Sequence, residues 1–136
     1  MELLSPVPTI KGPDTLFTGH VWIDTIYRGE DPSRTRLNSV RFSPCARTAW
    51  HTHSVGQTLH VTEGIGVVAT RDGRVIVMRP GDTVWTPPGE EHWHGATAEH
   101  FMTHLALWEG DEVTWGVHVT DKEYADAQPT TNGESH

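Results

Sequence analysis

Glycine and proline residues divide this chain into segments that are too short for long helices. The sequence contains 13 glycines and 9 prolines among 136 residues. Both residue types interrupt regular structure, glycine through its conformational freedom and proline through its fixed φ and missing N–H. Between them lie short runs rich in β-branched and aromatic residues, which favour strands. The pattern therefore predicts an all-β chain of about eight or more short strands.

A hairpin around Asp72 and Gly73 is the clearest local structure in the sequence. The dipeptide separates two β-branched runs, residues 67–71 and 74–78. Asp-Gly between such runs favours a tight type I′ turn, which joins antiparallel strands directly. We expect further hairpins of this kind to build a small double-sheet barrel.

Two segments alternate clearly enough to predict which side chains face the interior. Residues 37–42 and 101–108 each carry one set of side chains at every second position. Successive residues of a strand point to opposite faces of the sheet, so each set shares one face. The faces that we expect to point inward include Asn38, Val40, His104 and Trp108.

The two ends of the chain differ from its centre. Residues 1–18 contain three prolines, which predict an extended arm that needs another surface to lie against. Thr120 and Glu123 have the spacing of a capping box, which predicts a short helix ending near Ala127. Residues 128–136 are polar, with Pro, Gly and Ser among them, and are predicted to be disordered.

Composition excludes several classes of partner. The formal net charge is -8 at pH 7, and no run of Lys or Arg is present, which argues against nucleic acid and anionic membranes. No apolar run is long enough for a signal peptide or a membrane span. The single cysteine, Cys45, permits no internal disulfide. We therefore expect one cytoplasmic domain, residues 1–136, that acts on a small molecule.

Two groups of histidines are the strongest functional signal. His51 and His53 are separated by one residue, so on an extended strand they point to the same side. After a turn at residues 54–56, Gln57 can return as an inward residue, and His92 follows a Pro-Pro-Gly turn. If the two regions are adjacent, three imidazoles and an amide oxygen meet and leave coordination positions open. The alternative is a histidine pair on a solvated strand face.

The ligand types allow several metals, and a further histidine suggests catalysis. Nitrogen and oxygen ligands suit divalent manganese, iron, zinc, cobalt or nickel, and do not choose among them. Because all four groups are neutral, the ion would keep nearly its whole charge and act as a strong Lewis acid. His94 is two residues beyond His92 and should point to the same side, where an imidazole can act as acid or base. The alternatives are a fourth metal nitrogen or a surface residue.

These spacings resemble the two motifs of the cupin superfamily, G-x5-H-x-H-x3-4-E-x6-G and G-x5-P-x-G-x2-H-x3-N. The first is matched apart from Cys45 in place of Gly and Gln57 in place of Glu, and the second apart from Ala96 in place of Asn. The resemblance spans roughly residues 38–108 and implies a double-stranded β-helix, or jelly-roll barrel. Since the N-terminal arms of small cupins often cross to a partner subunit, it also implies a homodimer or larger homo-oligomer.

At a finer level the chain resembles small manganese-dependent cupins with (R)-selective hydroxynitrile lyase activity. The runs that carry this resemblance are residues 46–53, 56–59, 88–90, 92–95 and 102–106. It implies that one divalent ion, Mn(II) by resemblance, is bound by His51, His53, Gln57 and His92. It assigns His94 as the acid–base residue and places Val40 in the wall of the substrate pocket, a cavity that His104 can share. Asn38 and Trp108 depart from the family pattern where the substrate would lie.

The reaction implied is the cleavage or formation of a carbon–carbon bond next to a metal-bound hydroxyl, as when a cyanohydrin gives an aldehyde and cyanide. Two alternatives stay open at this point. Open positions on a three-histidine metal also bind oxygen, so an iron(II)-dependent dioxygenase is one alternative. The other is a non-catalytic cupin that binds a small molecule, in which His94 only forms a hydrogen bond to the ligand.

Overall fold

The computed structural model describes residues 1–130, and in it two antiparallel sheets curl around one interior. The strands of these residues are β1 (Ile10–Lys11), β2 (Phe17–Thr18), β3 (Val21–Arg28), β4 (Thr35–Phe42), β5 (Arg47–Thr48), β6 (His51–His53), β7 (Gln57–Gly64), β8 (Gly66–Thr70), β9 (Val75–Met78), β10 (Thr83–Thr86), β11 (His92–Ala96), β12 (Met102–Glu109) and β13 (Val113–Trp115). One helix, α1 (Asp121–Asp126), follows them. The prediction of an all-β jelly-roll barrel with a short C-terminal helix is confirmed.

The strand order brings the two histidine regions together. The first sheet runs β1-β3-β4-β12-β7-β10, and the second runs β13-β6-β11-β5-β2, with β8 pairing with β11 and β9 with β8. Strand β6 carries the first histidine motif and β11 the second, and the two strands pair with His51 opposite His92. Gln57 begins β7 in the other sheet. The site is therefore built between the sheets.

The inward faces of β4 and β12 form one wall of the interior, as their alternation predicts. In the register of these strands, Val40 lies opposite His104 and Asn38 opposite Ala106. Large apolar side chains fill the interior beyond them, and each contributes roughly 1.5–3 kcal/mol of burial free energy. The fully buried large members of this cluster are Val21, Phe42, Leu59, Val61, Met78 and Met102, and the small Ala46 and Ala96 are buried among them.

The ends of the chain are held differently. The second half of the 1–18 arm pairs with this chain's own sheets through β1 and β2, whereas residues 1–9 are exposed. At α1, Thr120 accepts a hydrogen bond from the Glu123 N–H and the Glu123 side chain accepts one from the Thr120 N–H, so the predicted capping box is confirmed. Gln128 accepts a hydrogen bond from the Ala98 N–H at 2.9 Å. The rest of the predicted disordered tail includes residues 131–136, which lie outside the described residues.

The backbone conformation at Cys45 explains why the first cupin motif has glycine at this position. Its φ is 73°, in the left-handed region that L-residues other than glycine rarely adopt. The cupin motif has glycine there because glycine enters this region without steric cost. The thiol is exposed and lies 3.8 Å from the Ala98 carbonyl oxygen, in a turn that does not line the cavity between the sheets. No helix among residues 1–130 has the length and apolarity needed to cross a membrane.

Candidate metal centre

Three buried histidines converge on one point between the sheets. Each of His51, His53 and His92 offers a ring nitrogen, and these nitrogens lie within 4.8 Å of one another. Their exposed fractions are 2%, 5% and 0%. Nitrogens at these separations can share one ion whose bonds to imidazole are about 2.0–2.1 Å long. The alternative that His51 and His53 lie on a solvated strand face is therefore wrong.

Backbone carbonyls fix the tautomer of two of these rings. The Nδ1–H of His51 donates to the Ala49 carbonyl oxygen at 2.9 Å, and that of His92 donates to the Glu90 carbonyl oxygen at the same distance. A neutral ring with its proton on Nδ1 carries a lone pair on Nε2. Such second hydrogen bonds orient imidazoles that bind metals. His51 and His92 are therefore prepared to bind an ion through Nε2.

Gln57 completes a set of donors that fits a divalent ion. Its Oε1 lies 3.2 Å from Nε2 of His92. Because the His92 proton is on Nδ1, two atoms with lone pairs face each other here, and they repel unless a cation or a proton lies between them. Gln57 is buried and lines the same cavity as His51 and His53. Four neutral donors thus point to one position.

Burial keeps the three imidazoles neutral. Desolvation is the largest cause in each case, and it lowers the pKa of His51 well below its usual value and that of His53 to about 4. Repulsion from His92 lowers both further, and burial also lowers the pKa of His92 itself. The neutral imidazole is the form that binds metals, so no proton has to leave these rings near neutral pH.

His94 lies beside the three histidines and pairs with His104. Its Nδ1 is 3.0 Å from Nε2 of His104, and its ring centroid is 5.2 Å from that of His51. Burial lowers the pKa of His94 well below its usual value and that of His104 to about 4. The hydrogen bond needs one N–H and one lone pair, so both rings cannot be cationic without placing N–H against N–H. The pair is therefore neutral at rest.

The histidines open into a cavity of about 340 Å³ between the two sheets. The predicted pocket residues Asn38, Val40, His104 and Trp108 all line it. The Trp108 ring lies 5.7 Å from that of His53, which places it beside the candidate metal position. No Lys, Arg, Asp or Glu is among the lining residues of the described chain. The cavity is thus suited to an uncharged molecule.

Buried polar atoms without partners cluster in this cavity. Seven buried side-chain nitrogen or oxygen atoms of residues 1–130 have no hydrogen-bond partner, and five of them belong to residues that line it. The five are Nδ1 and Nε2 of His53, Nε2 of His94, Nδ1 of His104 and Nε1 of Trp108. Buried polar groups are normally satisfied, so this concentration indicates a place where an ion or a ligand binds.

Two aromatic walls of the cavity were missed from the sequence. Trp115 lies opposite His51 in the pairing of β13 with β6, and its ring centroid is 4.6 Å from that of His51. Phe17, from the predicted arm, lies 6.0 Å from Trp115. Neither residue has ligand-like spacing, and only the pairing of distant strands brings them to the site. For Trp115 a sequence signal would have been the alternation of β13, which places it on one face with Val113.

A larger groove lies elsewhere on the surface. It has a volume of about 560 Å³ and is bordered by Arg74, Asp82, Trp85 and Glu90 among others. It contains no histidine, and none of its side chains has a buried atom that lacks a partner. We therefore place the functional site at the smaller cavity, where the unsatisfied groups are.

Comparison with known proteins agrees with this geometry. The family model described as a Cupin domain matches residues 38–108. A protein of Granulicella tundricola named (R)-mandelonitrile lyase is 51% identical over 117 residues, which cover 84% of this chain and 89% of that protein. The similarity extends over both histidine regions and most of the cavity wall.

Solved structures show the same architecture. A cupin-like protein from Thermotoga maritima superposes with a TM-score of 0.83 and 32% identity, covering 94% of this chain and 98% of that one. The polyketide cyclase RemF from Streptomyces resistomycificus superposes with a TM-score of 0.73 at 18% identity, covering 95% of this chain and 99% of that one. The second likeness concerns the fold alone.

Proposed function

This chain belongs to the cupin family, and from that premise we propose that it is a metal-dependent lyase. The reaction is the cleavage or formation of a carbon–carbon bond next to a hydroxyl group, as between a cyanohydrin and its aldehyde plus cyanide. The observation that carries the proposal is the unpartnered Nε2 of His94, buried beside three histidines that can hold one ion. The 51% identity to a protein named (R)-mandelonitrile lyase supports it.

The metal site consists of His51, His53, Gln57 and His92. When bound, a divalent ion supplies a Lewis acid that draws electron density from a hydroxyl or carbonyl oxygen of the substrate. Mn(II) is the ion that the resemblance favours, and Fe(II), Zn(II), Ni(II) and Co(II) also suit these ligand types. Neutral donors leave most of the ion's charge to act on the substrate.

His94 carries the proton of the reaction. Burial holds it neutral at rest, so Nε2 can accept the proton of the cyanohydrin hydroxyl. The oxygen electron pair forms the carbonyl, the carbon–carbon bond breaks, and its electron pair leaves on cyanide. His94 then returns the proton to cyanide, which gives hydrogen cyanide and restores the neutral ring. The Nδ1–H of His94 donates to Nε2 of His104, so the lone pair of the neutral His94 ring is on Nε2 and is free for this transfer.

The cavity wall selects the substrate. Val40 is 7% exposed and lies on the inward face of β4, while Trp108 narrows the space beside His53. The aromatic walls suit a flat apolar group on the carbonyl carbon and exclude water from it. The small-molecule partner that we propose is therefore an uncharged aldehyde or cyanohydrin with an apolar substituent.

One experiment separates this function from its rivals. Protein purified from cells is analysed for bound metal and then assayed for mandelonitrile cleavage with and without oxygen. The proposal expects a stoichiometric divalent ion and cleavage that does not depend on oxygen. Oxygen consumption with iron bound would favour a dioxygenase. Metal binding without turnover of either kind would favour the non-catalytic cupin.

We also propose that the chain forms a homodimer or larger homo-oligomer in the cytoplasm. Leu3 and Leu4 of the exposed arm are 98% and 48% exposed. An outward row of side chains crosses five strands of the first sheet, and its members in register are Tyr27, Leu37, Leu107, Thr58 and Trp85. Exposed apolar surface of this extent is typical of an interface. Light scattering of the full chain and of a variant lacking residues 1–9 tests it, and a monomeric full chain would contradict it.

A further inference from the structure

One cavity wall carries two hydrogen-bonding groups that neither the proposed metal ligands nor His94 use. They are Asn38 on β4 and Trp108 on β12, and both line the cavity. The Nε1–H of Trp108 is buried and has no partner among residues 1–130. The Asn38 carboxamide, which is half-buried, forms no side-chain hydrogen bond within the same residues. Both groups are thus available to a ligand.

The sheet register places these two groups close together and close to the metal position. Asn38 lies opposite Ala106, two residues before Trp108 on the same face of β12. Such diagonal neighbours are separated by about 7–8 Å, a gap that one small substituent can bridge. Trp108 also lies opposite Gln57, a proposed metal ligand. A molecule with one oxygen at the metal centre can therefore reach both groups at once.

We propose that Asn38 and Trp108 form a second recognition point, and that the substrate carries a hydroxyl group there. The inference rests on the proposed function and deepens it by naming a substrate class. An indole N–H only donates, whereas a carboxamide both donates and accepts. A hydroxyl accepts from Nε1–H of Trp108 and donates to Oδ1 of Asn38, so it satisfies both partners. The substrate class is an uncharged carbonyl compound, or its adduct, that bears a second hydroxyl on its apolar part.

Because no charged residue lines the cavity, the substrate group that contacts Asn38 and Trp108 must also be uncharged. The lining residues include no Lys, Arg, Asp or Glu. A carboxylate or ammonium group would be buried at this wall without an opposite charge, which is strongly unfavourable. A hydroxyl is accommodated by the two neutral partners alone. Charged substrates are thus excluded by the same wall that recognises the hydroxyl.

The test measures binding, so that it does not depend on the reaction. The zinc-loaded protein is titrated by NMR with 1-phenylethanol and its 2-, 3- and 4-hydroxyphenyl analogues, which resemble a cyanohydrin but cannot be cleaved. At least one hydroxylated isomer should bind about threefold to tenfold more tightly than 1-phenylethanol, the effect of one or two neutral hydrogen bonds. Asn38→Ala and Trp108→Phe should each abolish that preference, the second while keeping a large ring in place.

Ser39→Ala provides the matched control, because Ser39 is the next residue on β4 and faces away from the cavity. It should keep the preference of the unmodified protein. The inference would be overturned if no hydroxyphenyl compound bound more tightly than 1-phenylethanol. It would also be overturned if the preference for the hydroxyl group persisted in Asn38→Ala and in Trp108→Phe. If Asn38→Ala does not fold, the inference is judged on whether Trp108→Phe loses the preference for the hydroxyl group. Cleavage of mandelonitrile without any preference would refute only this inference, and a preference without cleavage would refute only the proposed reaction.

Discussion

Nε2 of His92 and Oε1 of Gln57 face each other at 3.2 Å, although the residues are 35 positions apart and lie in different sheets. The His92 proton is held on Nδ1 by the Glu90 carbonyl, so neither facing atom has a hydrogen to share. An ion bound by both atoms would hold the two sheets together. Metal should therefore stabilise the fold as well as support the reaction.

The first prediction concerns metal occupancy. His53 has two ring nitrogens without partners, so His53→Ala should lower bound metal substantially without removing a hydrogen bond of the fold. Elemental analysis after dialysis measures it. His118→Ala is the control, since His118 is exposed and is not among the residues that line the cavity. Metal at 100 times its Kd should raise the free energy of unfolding by about 2.7 kcal/mol, an effect that His53→Ala should lose. Full stoichiometric metal in His53→Ala would show that the ligand assignment is wrong.

The second prediction concerns the charge of the ligand set. Gln57→Glu replaces a neutral oxygen donor with a carboxylate, which should keep the metal but cancel part of its charge. Turnover of mandelonitrile should then fall by a larger factor than metal occupancy. Parallel elemental analysis and kinetics on one preparation measure both quantities. An unchanged turnover number per bound ion would mean that the charge of this ligand has no part in the chemistry.

Local patterns in the sequence were enough to predict the class of fold and most of the site. Because one residue separates His51 from His53, the two side chains share a face of the strand. The pairing of β6 with β11 places His92 opposite His51, as expected. A hairpin joins β8 to β9 at Asp72 and Gly73 as predicted, but the type I′ turn is wrong. Thr70 pairs with Arg74, which leaves a three-residue loop, and of its residues Gly73 has the positive φ whereas Asp72 does not. These features depend on neighbours in sequence, which is why alternation and turn chemistry could predict them.

The remaining features depend on contacts between distant strands. Trp115 reaches His51 only because β13 pairs with the outer edge of β6, and Phe17 reaches Trp115 from the opposite end of the chain. The hydrogen bond between His94 and His104 joins different sheets. No local pattern specifies such pairings, because side-chain alternation gives the face of a strand but not its partner. Alternation could group Trp115 with Val113 and turn His104 inward, but the contacts of the aromatic walls and the bond between His94 and His104 could not be predicted from the sequence.

The third prediction tests the size of the cavity. Trp108 is partly buried and its ring lies beside His53, so Trp108→Ala should enlarge the space next to the metal position. The variant should accept larger aromatic aldehydes or cyanohydrins relative to small ones. A series of substrates of increasing size, compared by kcat/KM, measures the shift. Trp85→Ala, on the outward face at 62% exposure, is the control. An unchanged size profile in Trp108→Ala would place this ring outside the substrate's reach.

The fourth prediction concerns acid stability. Burial lowers the pKa of His104 from its usual 6.5 to about 4, so between these values the unfolded chain binds a proton that the folded chain does not. The contribution of the neutral His104 ring to the free energy of unfolding is therefore complete above pH 6.5. It falls by about 3 kcal/mol as the pH decreases towards 4. His104→Gln cannot take up that proton. Urea unfolding of the metal-free proteins should therefore show a smaller loss of stability in the variant over this range. Identical pH dependence would contradict the role of His104.

The last prediction separates proton transfer from metal binding. His94 shares β11 with His92 but is not one of the three histidines whose nitrogens converge, so His94→Ala should keep near-normal metal content. General acid–base groups contribute about a hundredfold to ten-thousandfold in rate, so mandelonitrile cleavage should fall at least about a hundredfold. Because His94 is buried, thermal unfolding is measured alongside, and His94→Gln serves as a second variant that keeps a polar side chain able to form a hydrogen bond to His104. Loss of metal together with activity would make His94 a ligand. Full activity in both variants would remove its role as the proton carrier and leave the chemistry to the metal position alone.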